Sequence, residues 1–306
     1  MLPDALDHLP DSKRRELEHV VKVLFDSFEG ATQTKLSEKR KSGRILKLIL
    51  FGSYARGDWV EDHLSGYRSD YDLLVVVNTQ EFTDLQEYWS EADDRFTREY
   101  TLTHELKTPV SFIVHSLADV NDQLARGRPF FSDIVKDGVM LYEAEGHPLA
   151  KAKNLIPSEI VDEAKGYYDQ WISSAERRIE NASYLIERAT KESNWGNDAA
   201  FILHQSAEAL YHCVLLTLTL YSPKSHRLTF LRSQAEGLDQ TLRTVWPEND
   251  RFARRCFAKL QRAYVEARYS AEYQIDLAEL TWLKERIETL KGVVKAICEK
   301  KVEIRA

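Results

Sequence analysis

The chain is poor in the residues that cross-link or loosen a fold. Its 306 residues include only 3 cysteines, 12 glycines and 8 prolines. Cys213, Cys256 and Cys298 lie far apart, without metal-ligand spacing, which suits buried thiols in a reducing cytosol. So little glycine and proline excludes a long low-complexity or disordered tract. No uninterrupted apolar run is long enough to span a bilayer. The most apolar helical stretch, FILHQSAEALYHCVLLTLTLY, contains His204, Gln205, Glu208 and His212. The first twenty residues are too charged for a secretory signal. The expectation is a cytoplasmic protein with no membrane partner. Positive charge is not in excess either. A formal net charge of −7 gives no overall attraction to nucleic acid, although it leaves room for a local basic patch.

What is present is the material of a globular protein: 43% hydrophobic residues for a core and 30% charged residues for a surface. The length suits two domains. Residues 11–29 carry Leu17, Val20, Val21, Leu24 and Phe28 at three- and four-residue steps, predicting an amphipathic helix. ILKLILFGS and YDLLVVVN read as short buried strands, TPVSFIVHS as a third and VMLYE as a fourth. Residues 81–100, SLADVNDQLARG and PFFSDIVKDG read as helices between them. Residues 1–145 therefore predict an α+β domain with a mixed sheet of about four strands and flanking helices. The composition shifts over residues 146–157, read as a linker. Residues 158–306 show only helical patterns, over about 158–190, 197–221, 228–243, 248–269 and from 280 onward, predicting an all-α up-down bundle. The first of these stripes runs through Ala164, Tyr168, Trp171, Ala175, Ile179, Ala182, Ile186 and Ala189.

Two short patterns carry chemistry. The first apolar run ends in Gly52-Ser53, and the second opens with Asp70 and Asp72. Glycine lets backbone N–H groups approach a phosphate without a side chain in the way, and serine adds a hydroxyl. Residues two apart on a strand share a face, so both aspartates can offer hard carboxylate oxygens to one Mg²⁺. Phosphoryl and nucleotidyl transfer ask for little more: a triphosphate held still, with its charge neutralised, during in-line displacement.

FGSYARGD followed by SDYDLLVVV resembles the signature of the DNA polymerase β-like nucleotidyltransferase superfamily, in its minimal and kanamycin-nucleotidyltransferase-like branches. The resemblance covers roughly residues 40–145. It implies that Gly52 and Ser53 grip the triphosphate of ATP or another nucleoside triphosphate, with Arg56 a further nucleotide-binding candidate, and that Asp70 and Asp72 bind Mg²⁺ or Mn²⁺. Sixteen residues separate Ser53 from Asp70, and the added loop offers Trp59, Tyr67 and Arg68 to an acceptor or base pocket. Active members carry a third carboxylate on a later strand. Here that strand has Ser111 and His115 but no acid, leaving Glu105 at its start, or His115 as a base, to complete the catalytic set.

Residues 158–300 resemble the HEPN domain, through FILHQSAEALYHCVLL, SPKSHRLTFL and AYVEARYSAEY. Many HEPN domains are ribonucleases that use an arginine and a histidine four to six residues apart. In RAYVEARY, Arg262 is followed by Ala267 where that histidine is expected, so the resemblance implies a motif remnant, Arg262, Arg268, Tyr269 and Tyr273, without ribonuclease activity. His204, Glu208 and His212 share a helix face and are read as hydrogen-bonded polar residues rather than metal ligands. In related two-gene systems of toxin-antitoxin character, the transferase modifies a tyrosine near this motif, making Tyr269 or Tyr273 an AMPylation acceptor. Together the resemblances imply an enzyme moving AMP from ATP onto a hydroxyl of protein, RNA or a small molecule, with a homodimer through the bundle. The alternatives are a nucleotide-binding regulator without turnover and an aminoglycoside nucleotidyltransferase.

Overall fold

A computed structural model describes residues 3–33, 42–61, 68–153, 155, 157–247 and 250–303. The chain divides into two compact units, Met1–Leu155 and Ile156–Ala306.

The first unit is built on a four-stranded sheet of order β3-β2-β1-β4, with β1 Ile45–Phe51, β2 Tyr71–Val77, β3 Val110–Ser116 and β4 Val139–Glu143. β1 is antiparallel to both β2 and β4, whereas β2 and β3 run parallel. The helices are α1 (Asp11–Gln33), α2 (Gly52–Arg56), α3 (Leu85–Tyr88), α4 (Ser90–Arg98), α5 (Leu117–Ala125) and α6 (Pro129–Asp137). Alternation along the strands divides the sheet into two faces. Ile45, Leu48, Leu50, Tyr71, Leu73, Val75 and Val77 join Leu17, Val20, Val23, Leu24 and Phe28 of α1 in one buried cluster. Val23, absent from the predicted stripe, is buried, whereas Val21 only packs against the cluster's edge. The opposite face carries Phe51, Asp72, Leu74, Val76, Ser111, Ile113 and His115, and is reached by α6 through edge contacts of Phe130 on Phe51 and Phe131 on His115.

Local chemistry sets the connections. The Ser116 hydroxyl accepts from the Asp119 N–H and caps α5, and Gly127 ends that helical segment at φ +69°. The segment read as a linker begins on this unit: Ala150 N donates to Asn121 Oδ1 and Lys153 N to Leu124 O.

The second unit is helical: α7 (Pro157–Ala189), α8 (Trp195–Thr219), α9 (Leu228–Leu238), α10 (Arg251–Ala263), α11 (Glu266–Tyr269) and α12 (Leu277–Glu303). Along α7 the buried stripe is Ala164, Tyr168, Ile172, Ala175, Ile179, Ala182, Leu185 and Ala189. It thus takes Ile172 and Leu185 in place of Trp171 and Ile186, which are partly buried. The stretch expected as one helix over 228–243 ends at Leu238 and continues as a 3₁₀ segment, Gln240–Val245, capped by Asp239. The stretch expected over 248–269 breaks between Ala263 and Glu266, where the β-branched Val265 is half exposed at φ −104°, ψ −56°. No helix among the described residues is long and apolar enough to cross a membrane.

Candidate active site

β1 delivers its last residue, Phe51, directly opposite Asp72 of β2. The chain must then turn, and Gly52 does so with φ +73°, a left-handed conformation that side chains disfavour. A Cβ on Gly52 would stand 2.4 Å from Asp72 Oδ2, closer than real contacts allow. The glycine is therefore required twice: for its backbone angle, and because an aspartate oxygen occupies the space of its missing side chain. Ser53 follows in α2, its carbonyl accepting from the N–H groups of Gly57 at 2.9 Å and Asp58 at 3.0 Å.

Asp70 and Asp72 are both half-buried. Asp72 is in parallel register with Ser111, whose hydroxyl donates to Asp70 Oδ2 at 2.9 Å. Tyr71, between them, turns the other way into the α1 core. Its hydroxyl donates to Glu16 Oε2 at 3.0 Å and its ring lies 4.5 Å from that of Tyr54. Burial, and next the negative charge of Glu16, push the Tyr71 phenol far above its ordinary range, so it stays neutral.

In the second unit the break between α10 and α11 sets out the arginines and tyrosines. Arg262 pairs with Glu266 at 3.1 Å. Arg268 donates through Nε to Tyr264 O at 2.8 Å and lies over the rings of Phe201, Tyr264 and Tyr269. Tyr269 is 77% exposed, whereas Tyr273 is 5% exposed and donates its hydroxyl to Lys259 O at 3.1 Å. His204, Glu208 and His212 are joined by His226 from another segment. Glu208 stands 3.7 Å from His204 and from His212, and 3.1 Å from His226. The His204 ring also contacts the carbonyls of Leu260 and His226.

Residues 34–146 match the family model described as "Polymerase beta, Nucleotidyltransferase", and residues 168–305 match that of the HEPN domain. The chain joins a polymerase β-type nucleotidyltransferase domain to a HEPN domain. A relative from Methanocaldococcus jannaschii, named "Putative protein adenylyltransferase", is 59% identical over 34 residues, which are 11% of this chain and 28% of that protein. The crystal structure of a nucleotidyltransferase-like protein from Exiguobacterium sibiricum aligns with 90% of this chain and 78% of its own at 13% identity. Its TM-score of 0.27 is too low to bear any argument.

Within the nucleotidyltransferase domain, Gly52, Asp72, Asp70 and Ser111 come together. Two other expected residues do not join them. Glu105 gathers with His19 and Glu99 on the α1 side of the sheet, because the loop before β3 is pinned there by Lys107 and Thr108 N–H groups donating to Glu16. His115 shares the face of Asp72 but lies four residues beyond Ser111, roughly 13 Å along the strand. There its Nδ1 sits 2.6 Å from Asp119 Oδ2. Arg56 is exposed and pairs with Asp58 at 3.3 Å. In the added loop, Trp59 stacks on Tyr54 and Arg68 donates to Lys107 O at 3.0 Å, so both pack the domain. Tyr67 lies outside the described residues. Ser111 is visible in the sequence as the strand's only other polar residue before His115. Its position at the pair follows from the β2–β3 register, for which the linear chain carries no signal.

The residues present fit a divalent cation such as Mg²⁺ or Mn²⁺. Asp70 and Asp72 are brought to one place by Ser111, which is in register with Asp72 and bonds to Asp70, and both offer hard carboxylate oxygens. On the neighbouring strand β3 the residue opposite Asp72 is Ser111, whose neutral hydroxyl, not a third carboxylate, faces the pair.

Proposed function

We propose that the nucleotidyltransferase domain moves AMP from ATP onto a phenolic hydroxyl, and that Tyr269 of the HEPN domain, in the same chain or a second copy, is the acceptor. The observation that supports this reading is the approach of the Gly52 turn to Asp72, which sets a glycine backbone beside a carboxylate pair. Asp70 and Asp72 would hold the divalent cation. When bound, the ion supplies charge neutralisation for the triphosphate and its pyrophosphate leaving group. Gly52 admits backbone N–H groups to the phosphates, and the Ser53 hydroxyl adds a donor. The tyrosine oxygen bonds to the α-phosphorus, the bond from that phosphorus to the bridging oxygen breaks, and pyrophosphate leaves with the electron pair. The phenolic proton passes to solvent. Adenine as the base and protein as the acceptor draw support from the name of the Methanocaldococcus relative. Between the two tyrosines, exposure favours Tyr269, since Tyr273 is buried with its hydroxyl engaged.

The test is incubation of the purified chain with Mg²⁺ and ATP labelled at the α-phosphate, followed by mass mapping. Label on Tyr269 that disappears in Asp72→Asn and in Tyr269→Phe is the expected result. A chain that never acquires label, and transfers none to RNA or to added protein, ends this reading. Ser111 favours one second reading, a nucleotide-binding regulator without turnover. It is selected by Mg²⁺-dependent ATP binding in which the nucleotide stays intact.

A further inference from the structure

On the α1 side of the nucleotidyltransferase domain, three side chains from three segments converge. His19 comes from the middle of α1, Glu99 from the π-helical turn Glu99–Thr103 after α4, and Glu105 from the loop before β3. One ligand atom of each lies within 4.8 Å of the other two, an arrangement that no other three His, Cys, Asp or Glu side chains share among the described residues. The nucleotidyl-transfer reading uses none of them.

The geometry is that of a prepared coordination site. Glu99 is only 4% exposed, and Arg95 Nε donates to its Oε1 at 2.7 Å, which fixes the carboxylate and turns Oε2 toward His19. Metal-binding carboxylates are oriented by such outer hydrogen bonds. His19 Nε2 stands 2.8 Å from Glu99 Oε2. Two ligands of a tetrahedral zinc ion, each at about 2.0–2.1 Å, sit about 3.3 Å apart, so the pair has to open by only about half an ångström. Glu105 is exposed and free of that constraint. Beside the three lies a cavity of about 400 Å³, lined among others by Ser12, Lys13, Arg15, His19 and Glu105. It has room for water at the remaining coordination positions.

We propose that His19, Glu99 and Glu105 form a binding site for a divalent first-row transition-metal ion, zinc being the reference occupant. The imidazole separates this site from the all-oxygen pair Asp70 and Asp72, which suits Mg²⁺. An ion held here ties α1 and the turn after α4 to the loop that leads into β3, the strand carrying Ser111.

The test uses the full chain without nucleotide and Co²⁺ as a spectroscopic probe, since a four- or five-coordinate Co²⁺ site absorbs visibly more than the aqueous ion. The Asp70→Asn/Asp72→Asn double variant is expected to bind one equivalent of Co²⁺, displaced by Zn²⁺. Binding should weaken about tenfold or more in Glu105→Gln and vanish in His19→Gln. Glu105 is exposed, so its variant decides the matter should His19→Gln fail to fold. Uptake lost in the double aspartate variant, or unchanged in Glu105→Gln and His19→Gln, overturns the proposal. Neither result depends on whether the chain transfers AMP.

Discussion

Gly52 makes the sharpest demand of any single residue. Its φ of +73°, and the 2.4 Å that would separate a side-chain methyl from Asp72 Oδ2, mean that Gly52→Ala must move either the turn or the carboxylate. We expect AMP transfer to fall at least about a hundredfold, because a misplacement of about 1 Å near reacting groups costs that much. The accompanying loss of stability should be only about 1–3 kcal/mol, the usual cost of a strained residue, leaving a folded protein by circular dichroism. Ser111 is the complementary case. If its neutral hydroxyl is what withholds turnover, Ser111→Asp should convert a binder of intact ATP into an enzyme that releases pyrophosphate. A wild-type protein that already labels Tyr269 should gain little from the change. The glycine and both aspartates can be picked out in the linear chain because their spacing along strand and turn is local. Ser111 cannot be chosen there over Glu105 or His115, since only the pairing of β2 with β3 puts its hydroxyl on Asp70.

Strands and helices show the same division. β1 reads as an apolar run broken by Lys47, yet Lys47 is wholly buried, with its ammonium on Glu143 of β4, its cross-strand neighbour. Glu143 is about half exposed, so water screens the pair. Lys47→Met should therefore change stability by less than about 1 kcal/mol. Glu143→Leu, which strands a buried cation, should cost more, on the order of 1–2 kcal/mol in urea unfolding. In α7 the period is evident from the residues, but the stripe's edge falls on Ile172 and Leu185 instead of Trp171 and Ile186. Periodicity gives a face to within about one residue, and the neighbouring helices decide which side of that face is covered. The break between α10 and α11 leaves no clear mark in composition. Arg268 stabilises it by bonding to the Tyr264 carbonyl, which a continuous helix would have used internally.

Across the HEPN domain as a folded body, the cluster of Glu208 with the buried His204 and His212 and the exposed His226 makes stability depend on pH. Burial lowers the pKa of His204 below its ordinary 6.5, outweighing the carbonyls and Glu208 that favour its charged form. Burial acts to raise that of Glu208, but His212 and His226 outweigh it and hold the carboxyl below 4.5. Both folded-state values are depressed, so both groups add stability above their unfolded pKa and lose it as pH falls through the folded one. The unfolding free energy, and with it the melting temperature, should therefore drop as pH is lowered below about 6.5 through His204, and below about 4.5 through Glu208 as well, the free energy falling by at most about 1.4 kcal/mol per pH unit per proton. His204→Gln should flatten the upper part of that descent in calorimetric scans. The sequence already carried the order of elements, the two-part composition, the Gly52-Ser53 turn and the aspartate pair, because these depend on residues near one another along the chain. Folding alone decided that Ser111 stands at the pair, that Glu105 joins His19 and Glu99, that His226 completes the ring around Glu208, and that Tyr269 rather than Tyr273 faces solvent. Each of those depends on register or packing between segments distant in the chain, and pairing between distant strands and helices leaves no trace in local spacing.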